Sequence, residues 1–394
     1  MSPHFYKFAR HAGIVQNRLY MKKLLKWLGI AVLALIVAIL CIWQGEIRTL
    51  ANIGQVSDDD PYLYYADYKA SYDLDKVLEA GIDENRKLVE FVIARLTRGL
   101  YKPDLSGKQI GNGFACTTFQ ARNAEGEGWL FGRNYDFFKN PTLVLRSTPR
   151  HGYASLSTCD LSHLGYKLDK LPSDLASKAL CLAAVYAPMD GMNEKGLCIS
   201  IMALPKQPAW QDSGKPIAGT SILIRLILDR CATVDEALAL VESIDVRHDR
   251  TAGGGYHYLV ADAQGNCAAI EFDLFDGWKT MILRKAPEEN SMLMTNHLLA
   301  PKYRTTEPDP VFGNPHSRSW WRYDVAAEYL AGHDGVLSVP EAQECLSNVH
   351  WKDFVWDNGM VENTQWSNVY DQSALVLHLR NWNSYESTRD FPLR

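Results

Sequence analysis

Cys116 has the residue types for a thiol nucleophile gathered around it, because a strand, a cation and a carboxylate converge on it. Gly113-Phe114-Ala115-Cys116-Thr117-Thr118-Phe119 opens a strand. The turn Asn123-Ala124-Glu125-Gly126-Glu127-Gly128 then reverses it into Trp129-Leu130-Phe131-Gly132-Arg133-Asn134-Tyr135-Asp136. A hairpin centred near Glu125–Gly126 pairs positions whose numbers sum to about 251, so Cys116 lies opposite Tyr135 to within two positions. Arg133 and Asp136 therefore fall beside the thiol. A neighbouring cation lowers a thiol pKa and raises the thiolate fraction, which nucleophilic attack requires. Spacing alone also accommodates a plain buried strand cysteine next to an ion pair.

The elements that must hold this group follow from periodicity. Residues 73–100 have helical spacing, divided at Gly81-Ile82-Asp83, and Tyr101–Gly113 is a loop punctuated by Pro103, Gly107, Gly111 and Gly113. Asp58-Asp59-Asp60-Pro61 reads as a solvated linker. Strands are expected at Cys116–Gln120, Trp129–Asn134, Cys181–Ala187, Leu197–Ala203, His257–Asp262, Ala268–Phe272, Met281–Arg284, Met292–Thr295 and Ala374–Leu379. Helices are expected at 218–231 and 319–331, and capping boxes start two more at Thr233 and Ser338. Antiparallel strands interrupted by helix pairs give a layered α+β fold.

Taken in order, Cys116-Thr117-Thr118-Phe119, Gly132-Arg133-Asn134-Tyr135-Asp136-Phe137 and Gly191-Met192-Asn193-Glu194-Lys195-Gly196-Leu197 resemble the choloylglycine hydrolase family. That family includes bile salt hydrolases and penicillin V acylases, with the acid ceramidase group as relatives. The resemblance runs from about residue 114 to the C-terminus. Its later landmarks are His257–Asp262 before a Gly turn, Thr295-Asn296, and Ser317-Arg318 opening a helix. It implies an N-terminal-nucleophile (Ntn) hydrolase: a four-layer αββα sandwich over 116–394, activated by autocleavage between Ala115 and Cys116. Residue by residue, it implies Cys116 as nucleophile and Arg133 as the cation beside its sulfur. Asp136 would hold the freed α-amino group, Asn296 would donate to the oxyanion, and Arg318 would organise the site.

The implied activity is hydrolysis of a linear, non-peptide C–N amide in a small N-acyl compound, through a thioester and without cofactor or metal. The free amine, with a pKa near ~7.7–8.0, takes the thiol proton locally. Glycines 107, 111 and 113 supply the adaptable backbone that attack on the preceding carbonyl needs. One position departs from the family. Met202-Ala203-Leu204-Pro205 puts Ala203 where an oxyanion-binding Asn often stands, so half of that hole must come from elsewhere.

Three other readings share parts of this set. An acyltransferase would use the same thioester with a different acceptor. A thiol protease built on Cys116, His257 and Asn296 would need no autocleavage, and an anchored binding protein would need no nucleophile. His257 between two tyrosines reads as a core histidine, and Asn193 as a structural turn residue tolerant of the left-handed conformation. No His/Cys/Asp cluster has zinc or calcium spacing, and Gly253-Gly254-Gly255 is a loop rather than a phosphate cradle. Cys159, Cys181, Cys198, Cys231, Cys267 and Cys345 lie among apolar neighbours and read as buried thiols.

Charge and hydropathy set the surroundings. Of 41 basic residues, six lie in the first 26 positions, where there is no acid; the remaining 35 face 46 acids, a net −11. So acidic a body repels phosphate backbones, which argues against nucleic-acid partners. Residues 27–43, WLGIAVLALIVAILCIW, are uninterrupted apolar, and Leu24 and Leu25 extend them across Lys26 to the ~20 residues of a bilayer span. Arg18, Lys22, Lys23 and Lys26 precede the run and keep that side cytoplasmic, which sends the body outward. The expected organisation is a basic N-terminus at 1–23, an anchor at 24–43, a linker and helical prosegment at 44–115, and the catalytic domain at 116–394. A signal peptide cleaved after the run, with the body secreted, is the rival reading, and Met21 offers a second start.

Overall fold

A computed structural model describes residues 3–101, 115–204, 208–252, 254–303, 318–355, 359 and 361–394, with side chains from Tyr20 onward. Two twisted sheets carry the chain. The first has nine strands in the order β1 (Gly54–Ser57), β2 (Asp60–Tyr68), β5 (Thr142–Ser147), β6 (Ser155–Asp160), β7 (Asp190–Asn193), β8 (Cys198–Leu204), β11 (Gly255–Ala261), β12 (Cys267–Phe272) and β13 (Thr280–Arg284). The second runs β14 (Ser291–Met294), β3 (Ala115–Asn123), β4 (Trp129–Phe137), β17 (Val361–Asp371), β18 (Val376–Asn381) and β19 (Arg389–Pro392). There β15 (Val336–Leu337) pairs with β3, and β16 (Phe354–Val355) with β17. A separate parallel pair joins β9 (Ile217–Gly219) to β10 (Asp245–Arg247).

Helices α6 (Thr220–Arg230) and α7 (Val234–Glu242) pack on the first sheet, and α8 (Arg318–Gly332) and α9 (Val339–Asn348) on the second. Strand β3 meets β8 and β11 across the gap, so the order of layers is α, β, β, α. The helix starts have local causes: the Thr233 side chain accepts from the Glu236 amide, and Ser338 and Glu341 form a reciprocal capping box.

The N-terminal part holds α1 (Pro3–Ile42), α2 (Gln44–Asn52), α3 (Leu74–Glu79) and α4 (Asn85–Leu96); the one-turn α5 (Leu175–Lys178) comes later. Within α1, Tyr20–Ile42 is long and apolar enough to cross a membrane and is exposed throughout. The helix break foreseen at residues 81–83 separates α3 from α4.

Two expectations fail here. Asp58–Pro61 is no linker: it spans the β1–β2 turn, and β2 pairs in parallel with β5, so the segment before Cys116 supplies an edge of the first sheet. Asp60 is fully buried, with its carboxylate accepting from Asn381 Nδ2 and Ser384 Oγ. Partners more than 320 residues away turn an apparently solvated acid into a core residue. Cys181–Ala187 is no strand either, but part of a 3-10 helix at Ala179–Tyr186. A short, wholly apolar run does not distinguish a buried strand from a buried helix, and its Ala and Leu content favours the helix. The loop glycines 107, 111 and 113, together with Gly253, Pro205 and Ser317, lie outside the described residues.

Candidate active site

The β3–β4 hairpin fixes the centre. Asn123 accepts the Glu125 amide in its turn, and the register pairs Cys116 with Tyr135, Thr118 with Arg133 and Ala115 with Asp136. Gly132 is required because a Cβ there would collide with the Phe119 ring packed across the pair. Strand alternation then divides the site between two faces.

On the face between the sheets stand Cys116, Thr118, Arg133 and Tyr135, all fully buried. The Cys116 thiol donates to Ile201 O at 3.7 Å, and Arg133 Nη2 donates to the same oxygen at 2.7 Å. Arg133 Nε lies 3.6 Å from Asp190 Oδ2. Asp190 accepts from Trp366 Nε1 at 2.9 Å, Asn368 Nδ2 at 2.8 Å and the Tyr370 hydroxyl. The guanidinium beside the sulfur is thus held by a carboxylate that is itself fully bonded, as a buried ion pair requires.

On the opposite, helix-facing side a second arginine gathers the backbone of the same residue. Arg322 Nη1 donates to Cys116 O and, at 3.0 Å, to Thr117 Oγ1; its Nη2 donates to Asn296 Oδ1 at 2.8 Å. The Cys116 amide also donates to Asn296 Oδ1, at 2.6 Å, and Asn296 Nδ2 donates to Ala203 O at 2.6 Å. Asp136 closes the cluster: Thr364 Oγ1 donates to its Oδ1 at 2.5 Å, and its Oδ2 stands 3.7 Å from Arg322 Nη1. That Oδ2 accepts no hydrogen bond from the described residues.

Burial pushes the Cys116 thiol up to about 11, against the pull of Arg133 and Arg322 and with a further push from Asp136. Burial likewise raises the Asp136 carboxyl, with Arg322 and the Thr364 hydrogen bond opposing. In the uncleaved chain the thiol is therefore protonated at neutral pH. A nucleophile here needs a local base.

Cys116, Arg133, Asp136 and Asn296 come together; Arg318 does not. Arg318 is exposed on the first turn of α8, its guanidinium 3.7 Å over the Phe354 ring. The buried stripe of α8 is Ser319, Arg322, Ala326 and Leu330, so the arginine that reaches the site lies one turn further on. An arginine in phase with the apolar stripe of a helix was the available signal. Asp190 and Thr364 were also missed: Asp190 reaches Arg133 from the facing sheet, and Thr364 reaches Asp136 from β17 beside β4, both far along the chain. His257 donates from Nε2 to Thr295 O at 2.8 Å with Nδ1 toward Glu271, so it braces the residue before Asn296 rather than facing Cys116. Asn193 Nδ2 donates to the carbonyls of Leu228 and Cys231 in a structural turn.

A cavity of about 940 Å³ opens beside this cluster. Ile201, whose carbonyl meets both Cys116 and Arg133, lines it together with Phe137, Tyr186 and the α4 side chains Leu88, Val92 and Leu96. Its polar fringe includes Lys139, Asn140 and His163; His163 Nε2 lies 3.1 Å from the Tyr135 hydroxyl. The size and the apolar walls suit a ligand with a substantial hydrocarbon part.

Residues 122–381 match the family model described as acyl-coenzyme A:6-aminopenicillanic acid acyl-transferase. The match begins after Cys116, so the nucleophile stands on geometry. Among solved structures, two variants of conjugated bile acid hydrolase from Clostridium perfringens are similar. One has 14% identity and a TM-score of 0.52, covering 71% of this chain and 92% of that one. The other has 14% identity and a TM-score of 0.51, covering 70% and 92%. Penicillin V acylase from Agrobacterium tumefaciens has 16% identity and a TM-score of 0.46 over 70% of this chain and 90% of that one. No curated protein matches significantly. The likeness to conjugated bile acid hydrolase shows that the two chains share their fold.

Proposed function

Since the chain belongs to the acyl-coenzyme A:6-aminopenicillanic acid acyl-transferase family, we propose that it is an Ntn amidohydrolase that cleaves the C–N bond of a linear N-acyl amide. The observation that carries this reading is the placing of both ends of Cys116. Its sulfur shares a carbonyl with Arg133, and its backbone nitrogen lies on Asn296 within a cluster holding Arg322 and the open Oδ2 of Asp136.

Autocleavage begins with attack of Cys116 Sγ on the Ala115 carbonyl carbon. The Ala115–Cys116 C–N bond breaks, the nitrogen takes the thiol proton, and a thioester joins Ala115 to Sγ. Water then releases the Ala115 carboxylate and restores the thiol. The new α-amino group supplies the local base that a thiol near 11 lacks, and as an ammonium it suits Asp136 Oδ2. In turnover the amine takes the thiol proton, the thiolate attacks the substrate carbonyl, and the ammonium protonates the departing amine. Water clears the acyl thioester and leaves a carboxylic acid.

The oxyanion needs donors in a water-poor site. Asn296 is the side-chain donor next to Cys116, and its Nδ2 donates to Ala203 O. Ala203 thus orients Asn296 through its carbonyl, although its side chain donates nothing. The cavity walls favour an acyl chain as the recognised part.

We further read Tyr20–Ile42 as a single span with the body outside the cytoplasm, from its apolar length and the basic residues before it. The family's name supports one second reading, acyl transfer, in which an amine rather than water takes the thioester. Intact mass and N-terminal sequencing of purified protein test the cleavage. Product analysis with and without added amine separates hydrolysis from transfer. Active protein that remains a single uncut chain sinks the Ntn reading.

A further inference from the structure

The end of the apolar span and the end of the cavity-lining helix cap each other. The last carbonyls of any helix lack partners within the helix. Leu96 O, at the end of α4, accepts from the Trp43 indole at 2.9 Å, and Trp43 directly follows α1. In return Arg98, two residues past α4, donates from Nη2 to Ile42 O, the last residue of α1, at 3.1 Å. The same nitrogen meets Glu46 Oε1 at 2.5 Å, and Glu46 is 5% exposed although charged. Arg98 holds a left-handed φ of 55°, a conformation uncommon for a side chain of its size and kept only where surroundings over-determine it.

Leu96, the residue whose carbonyl is capped, also lines the cavity, on the same α4 face as Leu88 and Val92. We propose that Trp43 and Arg98 are positioning residues for acyl-chain recognition: they pin the pocket wall formed by α4 to the end of the apolar helix. This rests on the amidohydrolase reading above. A short acyl group fills little of about 940 Å³ and touches few wall side chains, whereas each further buried methylene contributes roughly a fourfold factor in binding. A loosened α4 therefore penalises long chains selectively.

The test uses detergent-solubilised full chain and the p-nitroanilides of butanoic, octanoic and dodecanoic acids. In Trp43→Ala and Arg98→Ala the dodecanoyl kcat/KM is expected to fall about tenfold, mainly through KM, with the butanoyl value within about twofold of wild type. Arg98→Lys, which keeps the charge and a donor, recovers part of the loss. Equal loss at every length, or no loss, overturns the proposal, as does a mature chain that begins after Trp43. If wild type cleaves none of the anilides, the amidohydrolase reading fails on its own, and amide exchange over residues 93–98 decides the latch. Faster exchange in Trp43→Ala supports it; unchanged exchange overturns it.

Discussion

The Cys116 thiol and the Arg133 guanidinium converge on one acceptor, Ile201 O, at 3.7 and 2.7 Å. The cation thereby stands beside the sulfur with its Nη2 engaged by a main-chain carbonyl. The residue that carries the shared acceptor, Ile201, lines the cavity.

Wild-type protein is expected to yield a 279-residue fragment, 116–394, whose first residues read Cys-Thr-Thr-Phe. Cys116→Ala should remain a single 394-residue chain and be inactive. Fragments 1–115 and 116–394 should co-purify, since β2 pairs with β5 across the cut. Mass spectrometry of the purified sample reads the cleavage and the co-purification, and an amide-hydrolysis assay reads the loss of activity.

Replacing Arg133 with Ala should move the pH–rate profile to higher pH. Burial is the main influence raising the thiol, and Arg133 is the largest that opposes it, so its loss leaves the thiolate less stable and the pKa higher. The measurement is kcat/KM against pH in cleaved protein. An unchanged profile would reduce Arg133 to a structural partner of Asp190.

Asp136→Asn should slow both autocleavage and turnover, by at least tenfold each if the carboxylate holds the new ammonium. It also leaves the buried Arg322 without its carboxylate, so a melting curve must accompany the rates. Loss of stability with normal rates per cleaved molecule would contradict the role.

The two arginines of α8 should behave oppositely. Arg318→Ala removes an exposed stacking contact and should leave stability within ~0.5 kcal/mol and turnover within about twofold. Arg322→Ala strips a buried carboxylate and three acceptors of their partner and should cost about 3–5 kcal/mol and abolish processing. Chemical denaturation and fragment yield distinguish them; comparable behaviour of the pair would contradict the assignment.

Asn296→Ala, in correctly cleaved protein, should lower kcat by ~10²–10³, the usual effect of removing one oxyanion donor. Its Oδ1 also receives the Cys116 amide and Arg322, so processing is expected to slow as well. Turnover within threefold of wild type in folded, cleaved protein would rule out the oxyanion role.

Much of this site is written in local sequence. A short turn with an Asn at its start fixes hairpin register, and register brings Cys116, Arg133 and Asp136 to one end of one strand pair. The helix starts at Thr233 and Ser338 and the break between α3 and α4 are equally local, because caps and glycines act within a few residues. The apolar length of Tyr20–Ile42 is a property of composition alone.

What tertiary structure decided lies across the sheets. Asp190 became the counterion of Arg133 only when β7 came to face β4, and Asp60 became a core residue only through Asn381. Whether Arg318 or Arg322 reaches Cys116 depended on the phase of α8 against β3, which the residues at the helix start do not set by themselves. The strands before Cys116 were hidden because parallel pairing of β2 with β5 depends on residues far along the chain. Local sequence encodes torsions, caps and registers within a few residues. Buried charge partners belong to whichever distant strand arrives, and only folding determines that.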